Sequence, residues 1–360
     1  MVTFSFCSIT RQGSPLKAAV TPQPRRYVQL LSIMAALILA GCAMDPRDAV
    51  TRREILQPWT EISGAQAGMS PQGLPSPMNS PPGAGYIELR RPAAMSANRN
   101  DIYLLDAGLR RIFRYDNFQK TLTPFATTLS VEAGMSLYAA PDMSVYITDP
   151  AHEQVLHFNW DGTPLPPLVS RGNLARPVSV VADEFNGQVL VADSLFNRII
   201  AFNSLGMALS VFQPPQVLAI AAMATGPDGI YVVDRLAKRI VVLGWDGAFH
   251  YAFGADALSE PGAIAVSRDN LVFVSDNFDH TISIYRRQDT KGENLVLADK
   301  IGGIGVAPGS FNHIGGLAVA DDLLFVADSL NARVQVMLIN PRAPGAGKNL
   351  DAGKTGDTEK

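Results

Sequence analysis

Six times along the chain an apolar run ends in aspartate, and a second apolar run begins a few residues later. The copies are IYLLDAGLRRIFRY around Asp106, VYITDPAHEQVLHF around Asp149, VLVADSLFNRIIAF around Asp193, IYVVDRLAKRIVVL around Asp234, VFVSDNFDHTISIY around Asp276 and LFVADSLNARVQVM around Asp328. The aspartates stand 43, 44, 41, 42 and 52 residues apart. Repetition at such a period sets the architecture before any single residue does. Each repeat opens on a run of small and apolar residues, as in PAAMSA from Pro92, PVSVVA from Pro177 and GGLAVA from Gly315. Polar turns such as NWDG at Asn159 and GWDG at Gly244 close the third run, which is a strand signature.

The second strand of each repeat, QVLVAD or GIYVVD, is apolar on both faces, whereas a strand with one solvated face alternates. Both faces are covered if four-stranded blades stack around an axis, with the small-residue first strands at the crowded centre. The pattern therefore predicts an all-β fold, a six-bladed β-propeller of four-stranded antiparallel blades over residues 85–340. The last repeat supplies three strands only. The isolated run Tyr86-Ile87-Glu88-Leu89 is predicted to form the outer strand of blade six and so join the two ends of the ring. The longest interval marks an insertion around Arg286 to Glu293, a hairpin expected on the face opposite the channel mouth.

The repeats resemble NHL repeats, whose pattern is an apolar strand, Asp, two residues, Asn, one residue, Arg and a second apolar strand. Asp328, Asn331 and Arg333 match it in full, Asp193 has Asn197 and Arg198, and Arg111 and Arg239 keep the arginine, while Gln154 and Thr281 replace it. The resemblance implies an NHL-like propeller and leaves the activity open, because one scaffold carries many functions.

Upstream the pattern changes. Arg25 and Arg26 precede an apolar stretch from Val28 to Ala40, which leads into Gly41 and Cys42. This resembles a bacterial lipoprotein signal, and the resemblance implies removal of residues 1–41 and lipidation of Cys42. An apolar stretch of 13 residues is too short to cross ~30 Å of hydrocarbon as a helix. Ala43 after the cysteine implies, by the same resemblance, the periplasmic face of the outer membrane. Residues 42–84, dense in proline, glycine and serine, predict a tether, with a short helix around Asp48 to Leu56; residues 341–360 predict a disordered tail. Cys7 falls within the signal and Cys42 would carry lipid, so disulfides and cysteine-ligated metals are not expected in the folded part. A net charge of −3 gives no basic domain for nucleic acid.

Two sets of residues are candidates for function. The markers Asp106, Asp149, Asp193, Asp234, Asp276 and Asp328, with Arg111, Arg198, Arg239 and Arg333, recur in blade after blade, which fits a turn-fixing role through charge-assisted hydrogen bonds. Arg91, Glu132, Arg176, Val217, Glu260 and His313 precede the first strands, break the repeat symmetry and are expected around the channel mouth. They suit a polar ligand or a partner loop. The expected function is a lipid-anchored periplasmic propeller, monomeric and without a cofactor, that binds another envelope protein through its mouth face and uses no catalytic residue.

The alternative is a metal-dependent enzyme in the channel. His152, His280 and His313 are expected on one face, which is similar to zinc-dependent peptidyl-hydroxyglycine lyases. Glu132 and Glu260, with His313 or Asn312, would serve zinc or a calcium-dependent lactonase. His157 and His250 fall within strands, and no nucleophile-elbow serine or phosphate loop is present.

Overall fold

The computed structural model describes residues 54–68, 85–168, 174–183, 185–287 and 295–340. The signal segment, Cys42, the tail from 341 and most of the blade-five insertion lie outside these residues. The chain forms six blades. Blade one is Pro92–Asn98, Asp101–Asp106, Arg111–Asp116 and Thr121–Phe125; blade two is Leu137–Ala139, Ser144–Asp149, Gln154–Asn159 and Pro164–Leu168. Blade three is Pro177–Asp183, Gln188–Asp193, Arg198–Phe202 and Ala208–Phe212, and blade four is Ile220–Gly226, Gly229–Asp234, Arg239–Leu243 and Phe249–Phe253. Blade five is Pro261–Val266, Val272–Asp276, Thr281–Arg287 and Leu295–Gly302. Blade six takes Ile314–Ala320, Leu323–Asp328 and Arg333–Ile339 from the end of the chain, and its fourth strand from the beginning.

That fourth strand corrects the sequence expectation. It is Leu56–Ile62, paired antiparallel with Arg333–Ile339 from Leu56 opposite Ile339 to Ile62 opposite Val334, with a bulge at Trp59. Tyr86–Glu88 instead pairs with Gly64–Ala67, which lies parallel to Thr121–Phe125 and extends blade one to six strands. Burial explains the choice. Ile55 and Leu56 are 0% and 1% exposed and Ile62 is buried, whereas Tyr86 remains 58% exposed. The tether expected over 42–84 is thus interrupted by two propeller strands; of the helix expected around Asp48 to Leu56, residues 48–53 lie outside the described residues and Leu56 begins a strand.

The core is divided among the six blade interfaces. In blade four, Ile230 and Val232 pack toward blade three, while Tyr231 and Val233 pack toward blade five. A strand sandwiched in this way must be apolar on both faces, as its sequence shows. The first strands stand side by side around the axis, and the sixth returns to the first. There the approach is close: a Cβ at Gly316 would lie 2.9 Å from the Met95 nitrogen and 3.1 Å from the Ala94 Cα.

Candidate functional site

The first strands enclose a central channel of about 980 Å³, walled mostly by alanine, glycine, serine and valine. Arg91, Arg235, Glu260, Asn277 and His313 line its mouth, and Asn98, Arg99, Arg268 and Asp321 line the other end. The loops at the mouth are held by the marker aspartates, none more than 2% exposed. Asp106 accepts the N–H groups of Arg90 (2.7 Å) and Arg91 (3.0 Å) from the loop ahead of the blade, and those of Gly108 and Leu109 (both 2.9 Å) from its own turn. Asp193 takes Ala175 (3.2 Å) and Arg176 (3.0 Å), Asp234 takes Leu218 (2.9 Å) and Ala219 (3.1 Å), and Asp276 takes Ser259 (2.6 Å) and Glu260 (3.0 Å). A buried carboxylate is costly unless such donors surround it, so these four aspartates fasten the incoming loop to the blade; Asp328 does the same through the Asn312 N–H (2.7 Å), whereas Asp149 accepts only from His152 and Gln154 after it. The residue four places after every marker is left-handed: Arg110, Glu153, Asn197, Lys238, His280 and Ala332 all have φ between 48° and 58°. This conformation is uncommon outside glycine, and its sixfold recurrence shows that the turn imposes it.

The arginines are less uniform than their alignment suggests. Arg198 and Arg333 pair with their own markers at 3.1 Å and 2.9 Å, and Arg333 also reaches Glu61 of the closing strand at 2.7 Å. Arg239 donates instead to the Gln216 carbonyl, and Arg111 stands opposite Asp106 in the ladder with no ion pair to it. Gln154 replaces arginine and donates to Asp149 at 3.1 Å.

The bonding pattern also fixes the register of the mouth. Ala219 donates to Asp234 as Arg91 does to Asp106, so Ala219 holds the mouth position of blade four. Val217, two residues earlier, is buried between blades three and four, and its carbonyl accepts a bond from Asn197 (2.8 Å). In blade two, Leu137 pairs with Ile147 as Met95 pairs with Leu104, which gives the equivalent position to Ala133 and moves Glu132 one residue outward. Glu132 and Arg176 are exposed but do not line the channel, whereas Arg91, Glu260 and His313 do.

The three mouth-face histidines do separate work. His152 is exposed and bonds Asp149 through Nδ1 at 2.8 Å, and that bond raises its pKa. His280 Nδ1 accepts the His313 N–H at 2.9 Å and so links blades five and six, while His313 faces the channel. Among the described residues no three His, Cys, Asp or Glu side chains come together as a metal site, so Glu132, Glu260 and His313 are not gathered around one point. His157 stacks on Tyr146 with ring centroids 4.4 Å apart, and burial lowers its pKa.

One feature of the mouth face lay outside the sequence expectations. Two residues after the marker, Leu195, Leu236, Phe278 and Leu330 are 61%, 68%, 73% and 57% exposed. The equivalent residues of blades one and two are Gly108 and Ala151. Phe196, Leu218, Ile304 and Val306, on loops of the same face, are also more than half exposed. An apolar crescent therefore spans blades three to six, with Arg91, Arg110, Arg176, Arg235 and Lys238 exposed around it. The signal was present in the sequence as Leu or Phe inside a turn where a polar residue would serve.

At the opposite face, Asp228 gathers the hydroxyls of Tyr231 (3.1 Å) and Tyr251 (2.5 Å), the Asn270 amide (3.0 Å) and the guanidinium of Arg287. Burial works against ionisation of Asp228, but the bonds from Tyr251, Asn270 and Arg287 outweigh it and hold its pKa below the usual value. Burial first, and then Asp228, push Tyr251 upward.

The fold and the mouth define a six-bladed β-propeller whose central channel, walled by small residues, carries charged side chains at both ends. No family model matches the chain, and no curated protein sequence does. Among solved structures it is similar to a protein of unknown function from Bacteroides thetaiotaomicron, at 13% identity and a TM-score of 0.57, over 79% of this chain and 77% of that one. It is also similar to virginiamycin B lyase from Staphylococcus aureus, at 12% identity and a TM-score of 0.50, over 69% of this chain and 95% of that one. Likeness at such identities establishes the fold alone.

Proposed function

We propose that this propeller is a binding module that docks a partner protein against its mouth face, and that it does so in a bacterial cell envelope, tethered through Cys42. The NHL-like repeats and the lipoprotein-like N-terminus support the setting. The observation that carries the binding role is the crescent of Leu195, Leu236, Phe278 and Leu330, four large apolar side chains exposed at equivalent turn positions. Scattered surface leucines need no explanation, but an apolar band rimmed by charge marks an interaction surface. The exposed charges around it carry both signs, Arg91, Arg110, Arg176, Arg235 and Lys238 beside Glu132, Asp256 and Glu260, so a fitting partner presents apolar side chains flanked by charges of both signs.

Photo-crosslinking in the native host tests this. With a photoreactive residue in place of Phe278, we expect a discrete adduct that Leu236→Asp abolishes. Adducts of equal yield from Phe185, exposed in the first turn of blade three at the opposite face, would refute a specific mouth-face site.

A further inference from the structure

The outer strands of the blades are open edges, and a bare, uncharged edge invites pairing with another strand. Four blades guard theirs with a cover, proline or charge, and a fifth exposes little of its own. Blade one is covered by Gly64–Ala67, and blade two carries Pro164, Pro166 and Pro167, which have no N–H to give. The edge of blade five carries Asp299 and Lys300 and that of blade six Pro58 and Glu61, while that of blade four, FHYAF, is exposed only at His250. Blade three has no covering strand, proline or charge on its edge, whose one irregularity is a bulge at Leu209. Its edge, Ala208–Phe212, reads ALSVF and is exposed from Ala208 to Val211. No charged residue occurs between Arg198 and Asp228. Leu205, Met207, Leu209 and Val211 are 75%, 56%, 52% and 50% exposed, and Leu165 of blade two is 37% exposed. The turn carrying Leu205 and Met207 packs on blade two, where a Cβ at Gly206 would lie 3.1 Å from the Pro167 carbonyl oxygen.

We propose that Ala208–Phe212 pairs antiparallel with the same strand of a second copy, forming a two-fold dimer joined through blade three. The chemistry of the edge selects this occupant. A lipid surface would cover the side chains but leave the outward N–H and C=O groups of the strand without partners, which costs several kcal/mol per group in hydrocarbon. Another strand satisfies them. A two-fold contact also sets every residue against its own copy, so charge at the centre would repel itself. This strand has no charge, and about Ser210 it sets Leu209 against Val211 and Ala208 against Phe212. The molecule already covers one edge this way, with its own Gly64–Ala67 on blade one. A monomer was the expectation from the sequence, and the unguarded strand argues against it. Five partly exposed side chains cover roughly half of the ~800 Å² per partner of a standard interface, so the dimer is weak and concentration-dependent.

Sedimentation velocity of the full chain over roughly a hundredfold range of concentration tests the pairing. We expect a monomer–dimer equilibrium in the micromolar range, weakened at least tenfold by Val211→Lys or Leu209→Lys and unchanged by Leu236→Lys on the mouth rim. In a background with Cys7 and Cys42 replaced by serine, Ser210→Cys is expected to cross-link to itself on oxidation, because residues facing each other across the axis stand within disulfide reach. Leu236→Cys is not. A folded chain that stays monomeric throughout would overturn the proposal. So would association that survives Val211→Lys but is lost in Leu236→Lys, which would move the contact to the mouth face.

Discussion

Ile55→Ala separates a closing strand from a tether. Ile55 is wholly buried in the cluster between blades five and six, beside Phe311, Ile314 and Met337. Ile62, at the far end of the strand that Ile55 leads into, packs with blade one. Truncating a fully buried Ile to Ala costs about 2–5 kcal/mol, combining lost transfer energy with the cavity left behind. That is a large share of the roughly 5–15 kcal/mol that holds a domain folded. If residues 42–84 were only a tether, the same change would fall within about 0.5 kcal/mol, as surface substitutions do. Guanidinium unfolding of the full chain, followed by tryptophan fluorescence, distinguishes the two. Trp59 reports locally, since it sits 37% exposed at the bulge of this strand. Because Ile55 and Ile62 serve different interfaces, the double variant should add within about 0.5 kcal/mol. A cost below that threshold for Ile55→Ala would refute the closure. A chain starting at Gly85 lacks the whole strand and should unfold far below the full chain; a peptide spanning residues 54–68 should restore part of the difference.

Three further outcomes are expected. Gly316→Val should destabilise by about 2 kcal/mol or more, read by thermal unfolding, because the new side chain meets the main chain of blade one at Met95 and Ala94. Asp193→Asn should cost about 2–4 kcal/mol by denaturant unfolding, since it removes the charge that Arg198 and the Ala175, Arg176 and Leu195 N–H groups surround. Asp228→Asn should cost about 1–2 kcal/mol at neutral pH, discounted for the partial exposure of Arg287. The folded pKa of Asp228 lies below its usual value, so its contribution is complete above ~3.9 and is lost as pH falls through the lowered folded value. The gap between wild type and variant should therefore be flat from neutral pH down to about 4 and close in stronger acid; a gap that widens there would refute the assignment.

The blades were legible in the sequence because a strand between two interfaces needs apolar side chains on both faces, and GIYVVD supplies them at Ile230, Tyr231, Val232 and Val233. The closing strand was not legible, because LQPWTEI hides its two buried ends among Pro58, Trp59 and Glu61, and only the partner Arg333–Ile339 gives that spacing a meaning. The mouth failed for a related reason. The loops before the first strands differ in length, so position in the sequence points to Val217 and Glu132, whereas main-chain bonds to the markers and strand pairing set the register at Ala219 and Ala133. The crescent was overlooked because Leu195, Leu236, Phe278 and Leu330 read as members of turns.

Those turns explain why the face is free to specialise. Five of the six marker aspartates hold the incoming mouth loops through main-chain N–H groups, so side chains beside them are not needed for the fold. Blades one and two put Gly108 and Ala151 two places after the marker, while the other four put Leu or Phe in that same turn position. The fold thus does not dictate an apolar side chain at this position, which is the pattern expected of the proposed binding face. The proposed dimer strand lies on the circumference of blade three, away from the turns that carry the crescent. Pairing there would leave both mouths uncovered and hold them as one bivalent unit. A partner with two binding segments would then be held more tightly than either mouth alone could manage, with no new contact at the mouth itself.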